Sequence, residues 1–265
     1  MNRKTLPAYA ASFGMGFWGA LRNRQELASS VVIYVVLLIC FRAICETMPI
    51  EELGIPGLTR AHLLWYLAMT ECVIVSAPGL AEFGQMIADG RLTEMMRRPC
   101  GMMGLALSRM VGAHLARAVV LFVFALAVMP YLTGVSMPVA PLHAPLLIVS
   151  LVLGILLFEL FGYALGTLEV LGPYSRPAGW IISKFIFAFG GLFFPVSFFP
   201  PLLREIVLLT PFPAVIFVPG SFMLMPDTPS VLEGIGTQVF WLAAIILVAS
   251  FASRRMVRHV LEKGD

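Results

Sequence analysis

Residues 146–167 read LLIVSLVLGILLFELFGYALGT, a run of apolar side chains with a single charge, Glu159. A helix rises about 1.5 Å per residue, so a hydrocarbon layer of about 30 Å is crossed by roughly 20 mostly apolar residues. This run therefore predicts a transmembrane helix. Five other stretches meet the same criterion, namely residues 27–45, 61–81, 106–132, 179–199 and 235–252. The sequence thus predicts an all-α polytopic membrane protein with six transmembrane helices.

The composition supports the same fold class. Apolar residues make up 59% and charged residues 12% of the chain, and the mean hydropathy is +0.91. Soluble domains are usually about 45–50% apolar and about 25% charged, so this chain must be solvated largely by lipid. The cysteines show no CxxC or Cys/His spacing, which predicts neither a disulfide framework nor a metal site. They are Cys40, Cys45, Cys72 and Cys100.

The basic residues predict the orientation, because lysine and arginine near span ends are retained in the cytoplasm. If the N-terminus is cytoplasmic, 15 of the 18 basic residues fall on that side. The opposite side holds only Arg42, Arg60 and Arg204, together with several acids. An odd number of spans would destroy this asymmetry. We therefore expect both termini in the cytoplasm, with a cytoplasmic tail over residues 253–265.

Residues 1–26 precede the first predicted span. Leu6, Ala10, Phe13, Phe17 and Leu21 recur there at helical spacing, with small and basic residues around them. This pattern is typical of a helix that lies in the membrane interface. We predict an N-terminal cytoplasmic interfacial helix over residues 1–26 and a transmembrane domain over residues 27–265.

Between the fifth and sixth spans the chain stays apolar but is interrupted repeatedly by proline, which prevents a continuous helix. Backbone that is not helical is tolerated at membrane depth only where protein or a water-filled cavity covers it. Residues 200–225 are therefore predicted as one or two short re-entrant helices in the outer leaflet. The prolines are Pro195, Pro200, Pro201, Pro211, Pro213 and Pro219.

Nucleotide-binding and nucleophile motifs do not occur in the sequence. There is no GxxxxGK[ST], no glycine-rich turn between a strand and a helix, and no GxSxG. The histidines His62, His114, His143 and His259 are scattered, without an acidic partner that the sequence can identify. We predict no catalytic residue and no cofactor bound by this chain, and if ATP drives the protein, another chain must bind it.

The loop between the second and third spans, residues 83–101, is the most informative segment. Asp89 and Gly90 predict a turn. Leu92, Met95 and Met96 then form an apolar ridge at helical spacing, which predicts a short amphipathic helix on the cytoplasmic side. Its apolar face would be covered either by lipid headgroups or by a groove on a partner protein. The ridge is surrounded by Arg91, Glu94, Arg97 and Arg98, and Pro99 ends it.

This loop resembles that of the ABC type-2 permeases, in particular six-span bacterial exporter permeases with a pattern close to I-x-D-G-x-L-x-x-x-L-x-K-P. Met96 stands in place of the second leucine and Arg98 in place of the lysine. A stretch after the fifth span is similar to the family's P-x-x-x-F-P-x-x-L and x-P-F patterns. The resemblance extends over nearly the whole chain. The matching residues are Ile87, Asp89, Gly90, Leu92 and Pro99 in the loop, and Pro195, Phe199, Pro200, Leu203, Pro211 and Phe212 after the fifth span.

The resemblance implies a membrane-spanning permease subunit of an ABC exporter in a bacterial inner (plasma) membrane. Its partners would be a separate ABC ATPase subunit, which holds ATP and Mg, and a second permease copy or a sister permease, but no nucleic acid. In that family the loop helix inserts into a groove on the ATPase and transmits its closure to the spans. The coupling residues would then be Ile87, Asp89, Gly90, Arg91, Leu92, Glu94, Met96, Arg97, Arg98 and Pro99.

Two carboxylates, Glu71 and Glu159, lie near the middle of the second and fourth predicted spans. A charge at a span centre costs about 2.5–3.5 kcal/mol on insertion scales, so each must be protonated, paired or facing water. Helix geometry places both at about 15 Å depth, where they could share one cavity. They would either line a path for a hydrophobic or amphiphilic, even cationic, substrate, or be neutral acids hydrogen-bonded to neighbouring helices. Lys184 could reach Glu159 or extend to the cytoplasm.

Phe189 and Phe193, on the aromatic fifth span, are the other candidates for the substrate path. Packing and lipid contact explain such phenylalanines equally well. Two other functions stay open. One is an ion-coupled secondary transporter that uses Glu71 and Glu159 as proton carriers, and the other is an intramembrane enzyme.

Overall fold

The computed structural model describes residues 5–48, 58–80, 82–90, 95, 101–171, 175–224 and 226–263. Two 3-10 turns, Val196–Phe198 and Phe222–Leu224, accompany the α-helices in this part of the chain. The helices are α1 (Thr5–Arg22), α2 (Arg24–Thr47), α3 (Arg60–Val75), α4 (Glu82–Ala88), α5 (Met102–Thr133), α6 (Ala144–Leu171), α7 (Ser175–Phe189), α8 (Pro201–Leu208), α9 (Phe212–Val215), α10 (Phe217–Ser221) and α11 (Thr228–Lys263).

Four helices in the described part of the chain are long and apolar enough to cross a membrane, which confirms an all-helical multi-pass membrane protein. They are α2, α5, α6 and α11, and they contain the first, third, fourth and sixth predicted spans. The 36 residues of α11 extend about 54 Å, which exceeds the bilayer core of about 30 Å. The last helix therefore continues beyond the hydrocarbon.

The second and fifth predicted spans are helical over only part of their length, because α3, with 16 residues, ends at Val75 and α7, with 15 residues, ends at Phe189. The turn that follows α3 contains Pro78, which disfavours helical backbone in the preceding residue, and Gly79, which has a φ of +101°. Helix α7 is followed by Gly190 and Gly191, and Gly191 has a φ of +79°. A six-span count stays a prediction, because each of these crossings needs an irregular segment to complete it.

Side chains of α3 hold the irregular backbone after α7. The Tyr66 hydroxyl group donates a hydrogen bond to the Gly191 carbonyl oxygen. The Thr70 hydroxyl lies 3.2 Å from the Leu192 carbonyl oxygen. Both side chains are fully buried. Carbonyl groups that the helix end leaves free are thus satisfied inside the protein, as membrane depth requires.

The proline-rich region contains the short helices α8, α9 and α10 and is anchored by Gln238 of α11. The amide nitrogen of Gln238 donates to the Ala214 and Ser150 carbonyl oxygens at 2.9 and 3.0 Å, and the Ser150 hydroxyl donates to its amide oxygen at 2.9 Å. A Cβ atom on Gly154 of α6 would lie 2.6 Å from the Val215 carbonyl oxygen, so the backbones touch there. The outer-leaflet position of this region stays a prediction.

Helix α1 packs along the first half of α5. Ser12, Gly16 and Ala20 form the buried face, whereas Leu6, the first residue of the predicted apolar stripe, is 63% exposed. A Cβ atom on Gly16 would lie 2.0 Å from the Arg109 carbonyl oxygen. Small residues four apart allow this close contact between helices. That α1 lies in the membrane interface stays a prediction.

The buried apolar residues form two main cores. The first joins α2, α3 and the later part of α5 around Tyr34, Trp65 and Tyr66. The second joins α4, α6 and α9 to the start of α5 and the end of α11. It is rich in methionine, a flexible side chain that fills irregular gaps. Its methionines are Met86, Met102, Met110 and Met256, with Met95 and Met103 packed at the margin.

Candidate coupling site and buried polar cluster

Helix α4, which forms the first part of the predicted coupling loop, is docked on α6. The rings of Phe83 and Tyr163 lie 4.4 Å apart between centroids, and both side chains are fully buried. A Cβ atom on Gly166 would lie 2.6 Å from the Phe83 ring and 3.0 Å from the Gly84 nitrogen. The Tyr163 hydroxyl lies 2.8 Å from the Ser253 hydroxyl of α11. The entrance to the loop is therefore linked to two membrane-length helices.

The chain turns at Asp89 and Gly90, both exposed at the end of α4. The Asp89 nitrogen donates to the Gln85 carbonyl oxygen at 2.9 Å, and the Gly90 nitrogen donates to the Ile87 carbonyl oxygen at 3.0 Å. Gly90 has a φ of +76°, which glycine adopts without steric cost. Ile87 is partly buried against the second core.

Most of the predicted coupling helix lies outside the described residues. Met95 is the exception: it is helical, partly buried and packed against the second core. The coupling roles of this loop therefore stay predictions. The predicted residues outside the description are Arg91, Leu92, Glu94, Met96, Arg97, Arg98 and Pro99.

Glu159 pairs with His114 inside the bundle. His114 Nδ1 lies 2.7 Å from Glu159 Oε1, and Nε2 lies 2.9 Å from the Val73 carbonyl oxygen. A carbonyl oxygen only accepts, so Nε2 must carry a hydrogen. Nδ1 then either accepts from a neutral carboxyl group or donates to a carboxylate. The pair has zero net charge in both cases, which lowers the cost of burying residues that are 0% and 1% exposed.

No hydrogen bond or ion pair joins Glu71 of α3 to His114 or Glu159 in the described part of the chain. Glu71 is 3% exposed. Lys184 is exposed and holds its ammonium group 5.4 Å from the ring centroids of both Trp180 and Phe187. The described contacts of Lys184 therefore do not include Glu159, and cation–π attraction holds its head at the surface.

The two candidate phenylalanines occupy different surroundings. Phe189 joins an aromatic cluster, with its ring 5.3 Å from Phe185 and 6.5 Å from Phe212. Phe193 is 50% exposed and lines a crevice of about 140 Å³ between α2 and α3. Phe189 thus serves packing, while Phe193 is accessible. A role for either in a substrate path stays a prediction.

A cleft of about 720 Å³ lies between the end of α3, α4, α6 and α7. Its wall is mostly apolar and aromatic, and the polar side chains Gln85 and Ser183 also face it. Concave sites of 300–1,000 Å³ with this character are typical of small-molecule binding. The other lining residues are Ile74, Ala77, Pro78, Gly79, Leu80, Gly84, Phe158, Leu165, Gly179, Trp180 and Phe187.

Charged groups collect beside α4. Arg117 of α5 donates through Nη1 to Glu26 of α2, and Arg117 is 6% exposed. Three buried side-chain atoms in the described part of the chain have no hydrogen-bond partner: Glu82 Oε2, Arg117 Nε and Glu159 Oε2. Burial raises the pKa of the Glu82 carboxyl group to about 7. Glu159 and Glu26 raise it further, while Arg117 and Arg109 oppose the shift.

Sequence reasoning did not identify His114, Arg117 or Glu82 as members of a cluster. His114 and Arg117 are separated from their partners by 45 and 91 residues, so no local spacing reveals these pairs. One indication was present, however. Arg117 and His114 interrupt a predicted span, and polar side chains inside a span must find partners on other helices.

The described residues contain membrane-length helices with buried, paired charges and contain no soluble domain. These features define a multi-pass membrane protein. A family model described as ABC-2 family transporter protein matches residues 31–263. The chain therefore belongs to the ABC-2 transporter family, as the resemblance predicted. It is a membrane transport subunit of a family that associates with an ABC ATPase. No curated protein matches the chain.

Proposed function

We propose that this chain is the permease of an ABC exporter in a bacterial inner membrane, with six crossings and both termini in the cytoplasm. α3 and α7 would complete the second and fifth crossings together with their irregular extensions. The bundle would pair with a second copy or a sister permease. ATP and Mg would be held by the partner ATPase, and this chain would supply no catalytic group.

The observation that carries the proposal is the docking of α4. A movement of residues 87–99 with an ATPase groove would pull on Phe83, which is packed on Tyr163 and beside Gly166. Tyr163 in turn contacts Ser253 of α11. A displacement of the loop would therefore act on two membrane-length helices at once, as rigid-body rocking between inward and outward access requires.

The cleft at α3, α4, α6 and α7 is the place where this movement would act on a substrate. It adjoins α4, because Gly84 and Gln85 belong to its wall. The wall suits a hydrophobic or amphiphilic molecule. Lys184 stands against the lining rings Trp180 and Phe187. Lys184 therefore places a positive charge beside these rings.

A proton-coupled transporter is the second candidate, and the buried His114–Glu159 pair favours it. Such a transporter would work without an ATPase. The two functions differ in what co-purifies with the chain and in the energy source that transport needs.

The test is co-purification from the native host in nanodiscs, followed by identification of bound chains and an ATPase assay. The double variant Arg97→Glu, Arg98→Glu places two repulsive charges on the coupling helix, and we expect the stimulated ATPase rate to fall about tenfold or more, equal to about 1.4 kcal/mol or more of coupling. The control Arg22→Glu, Arg24→Glu makes the same charge change on the same side and should leave the rate within about twofold. A chain that purifies alone and transports with a proton gradient would favour the second candidate.

A further inference from the structure

Among the residues that the structure describes, two of the three acids beside α4 have a charged or histidine partner, and the third does not. Three carboxyl groups, Glu26, Glu82 and Glu159, come from three different helices. Arg117 is engaged with Glu26, and His114 with Glu159. No ion pair within 4 Å to Glu82 is found in the described part of the chain, and its Oε2 atom is buried without a hydrogen-bond partner. Of the three acids, Glu82 is therefore the one without an ion-pair partner in this part of the chain.

Glu82 and Glu159 act on one another. The charge of Glu159 is the largest electrostatic influence on Glu82 after burial itself. Glu159 Oε2 is also buried without a partner, on a residue that is 1% exposed. Two neighbouring carboxyl groups that each keep a buried oxygen without a hydrogen-bond partner repel one another when both are ionised, and one proton relieves the repulsion. An unpartnered acceptor on each acid is the group that such a proton satisfies.

We propose that this cluster is a proton-binding site, in which Glu82 holds one proton while α4 lies against α6, and that displacement of α4 releases it to the cytoplasm. Every charged group that acts on Glu82 is part of the site: Glu26 of α2, Arg109 and Arg117 of α5, and Glu159 of α6. His114 of α5 joins through its bond to Glu159. The proton binding stands on the buried cluster, whereas its release by α4 rests on the proposed function.

The direction in which pH changes the stability follows from the burial of the Glu82 carboxyl group. The Glu82 carboxyl group ionises at about pH 7 in the folded protein, whereas in the unfolded chain it has an ordinary pKa of about 4.3. Between these two pH values the folded chain still holds the proton and the unfolded chain has lost it. The folded state binds one more proton than the unfolded state in this window. Stability therefore falls as pH rises through it, and Glu82→Gln should remove this dependence.

Release by movement follows from the position of Glu82 in the first turn of α4. A shift of α4 away from α6 would hydrate the carboxyl group and separate it from Glu159. Both changes lower its proton affinity. By linkage, a cycle that moves α4 takes up and releases one proton per chain, and the proton in turn favours the docked position.

The first experiment measures proton uptake of the full chain in nanodiscs by infrared difference spectroscopy between about pH 8 and about pH 6, through the band of protonated carboxyl groups. We expect the wild type to gain one protonated carboxyl group that Glu82→Gln lacks. The control Glu205→Gln makes the same change at an exposed residue of α8 and should keep the band. A band of unchanged size in Glu82→Gln would overturn the site.

Arg109→Gln provides a second variant that leaves the carboxyl group in place. The positive charge of Arg109 favours ionised Glu82, so its removal should move the midpoint of proton uptake to higher pH. A midpoint that stays at the wild-type value would also count against the site.

The link to movement is tested on the complex with its ATPase. A nonhydrolysable ATP analogue should release one proton per permease chain from the wild type and none from Glu82→Gln, as followed with a pH indicator. Equal release from both would overturn the link to α4. Absence of an ATPase from the purified complex would instead refute the proposed function, and the infrared result would still decide the site.

Discussion

The chain interrupts its helices in two regions, residues 76–90 between α3 and α5 and residues 190–224 between α7 and α11. In the second region Tyr66, Thr70 and Gln238 donate to the freed carbonyl groups. In the first, Glu82 has a buried acceptor without a donor, and so does the neighbouring Glu159. Buried polar groups that have hydrogen-bond partners hold an irregular segment in one arrangement. Buried polar groups without partners cost free energy, and a movement that gives them partners or water removes that cost. We therefore expect the second region to stay fixed and the first to move when a partner ATPase acts on it.

The largest effect that we expect comes from His114. His114→Leu leaves the Glu159 carboxyl group buried without its partner, so the free energy of unfolding should fall by about 3–5 kcal/mol. The double variant His114→Leu, Glu159→Leu removes both polar groups and should recover most of this loss. Denaturant unfolding in detergent micelles provides the measurement. Losses that simply add in the double variant would show that the two residues do not interact.

Gln238 tests the fixed region. Gln238→Leu removes the donor to the Ala214 carbonyl oxygen and both contacts with Ser150, and we expect a loss of about 2–4 kcal/mol in the same unfolding assay. Gln25→Leu makes the identical change at an exposed position of α2 and should alter stability by less than about 0.5 kcal/mol. If the two variants behaved alike, the irregular segment would not depend on this anchor.

Gly166 tests the moving region, where the effect on stability should be the smallest. Gly166→Ala pushes a methyl group against Phe83 and the Gly84 backbone, and we expect a loss of about 1–2 kcal/mol together with a roughly tenfold drop in transport per ATP hydrolysed. Gly236→Ala, at an exposed position of α11 where a Cβ atom meets nothing within 4 Å, is the matched control. Normal coupling in Gly166→Ala would show that the contact between α4 and α6 does not transmit movement.

The prediction of the membrane-length helices from sequence succeeded because their cause is local. A run such as residues 146–167 must be helical in lipid, since no water is present to satisfy its backbone. The breaks at Pro78 and at Gly190 and Gly191 have local causes too, yet the predicted spans ran through both. Hydropathy averages over a window and does not register where the helix itself ends.

The α1 helix shows a different limit. Its apolar stripe, beginning with Leu6, predicted a helix in the membrane interface and no contact with another helix. Ser12, Gly16 and Ala20 are the residues of α1 that are buried, against α5. Between helices in a membrane, close approach of backbones outweighs the size of the side chains. The sequence pattern that indicates this contact is the small residue at every fourth position of α1.

The sequence by itself determined the fold class, the family and the location of the segment that resembles a coupling loop, because each depends on composition or on residues close together along the chain. The tertiary structure alone decided which polar groups inside the bundle meet. His114 finds Glu159 and Arg117 finds Glu26 across 45 and 91 residues. These pairings follow from helix packing, whose geometry leaves no regular spacing in the sequence.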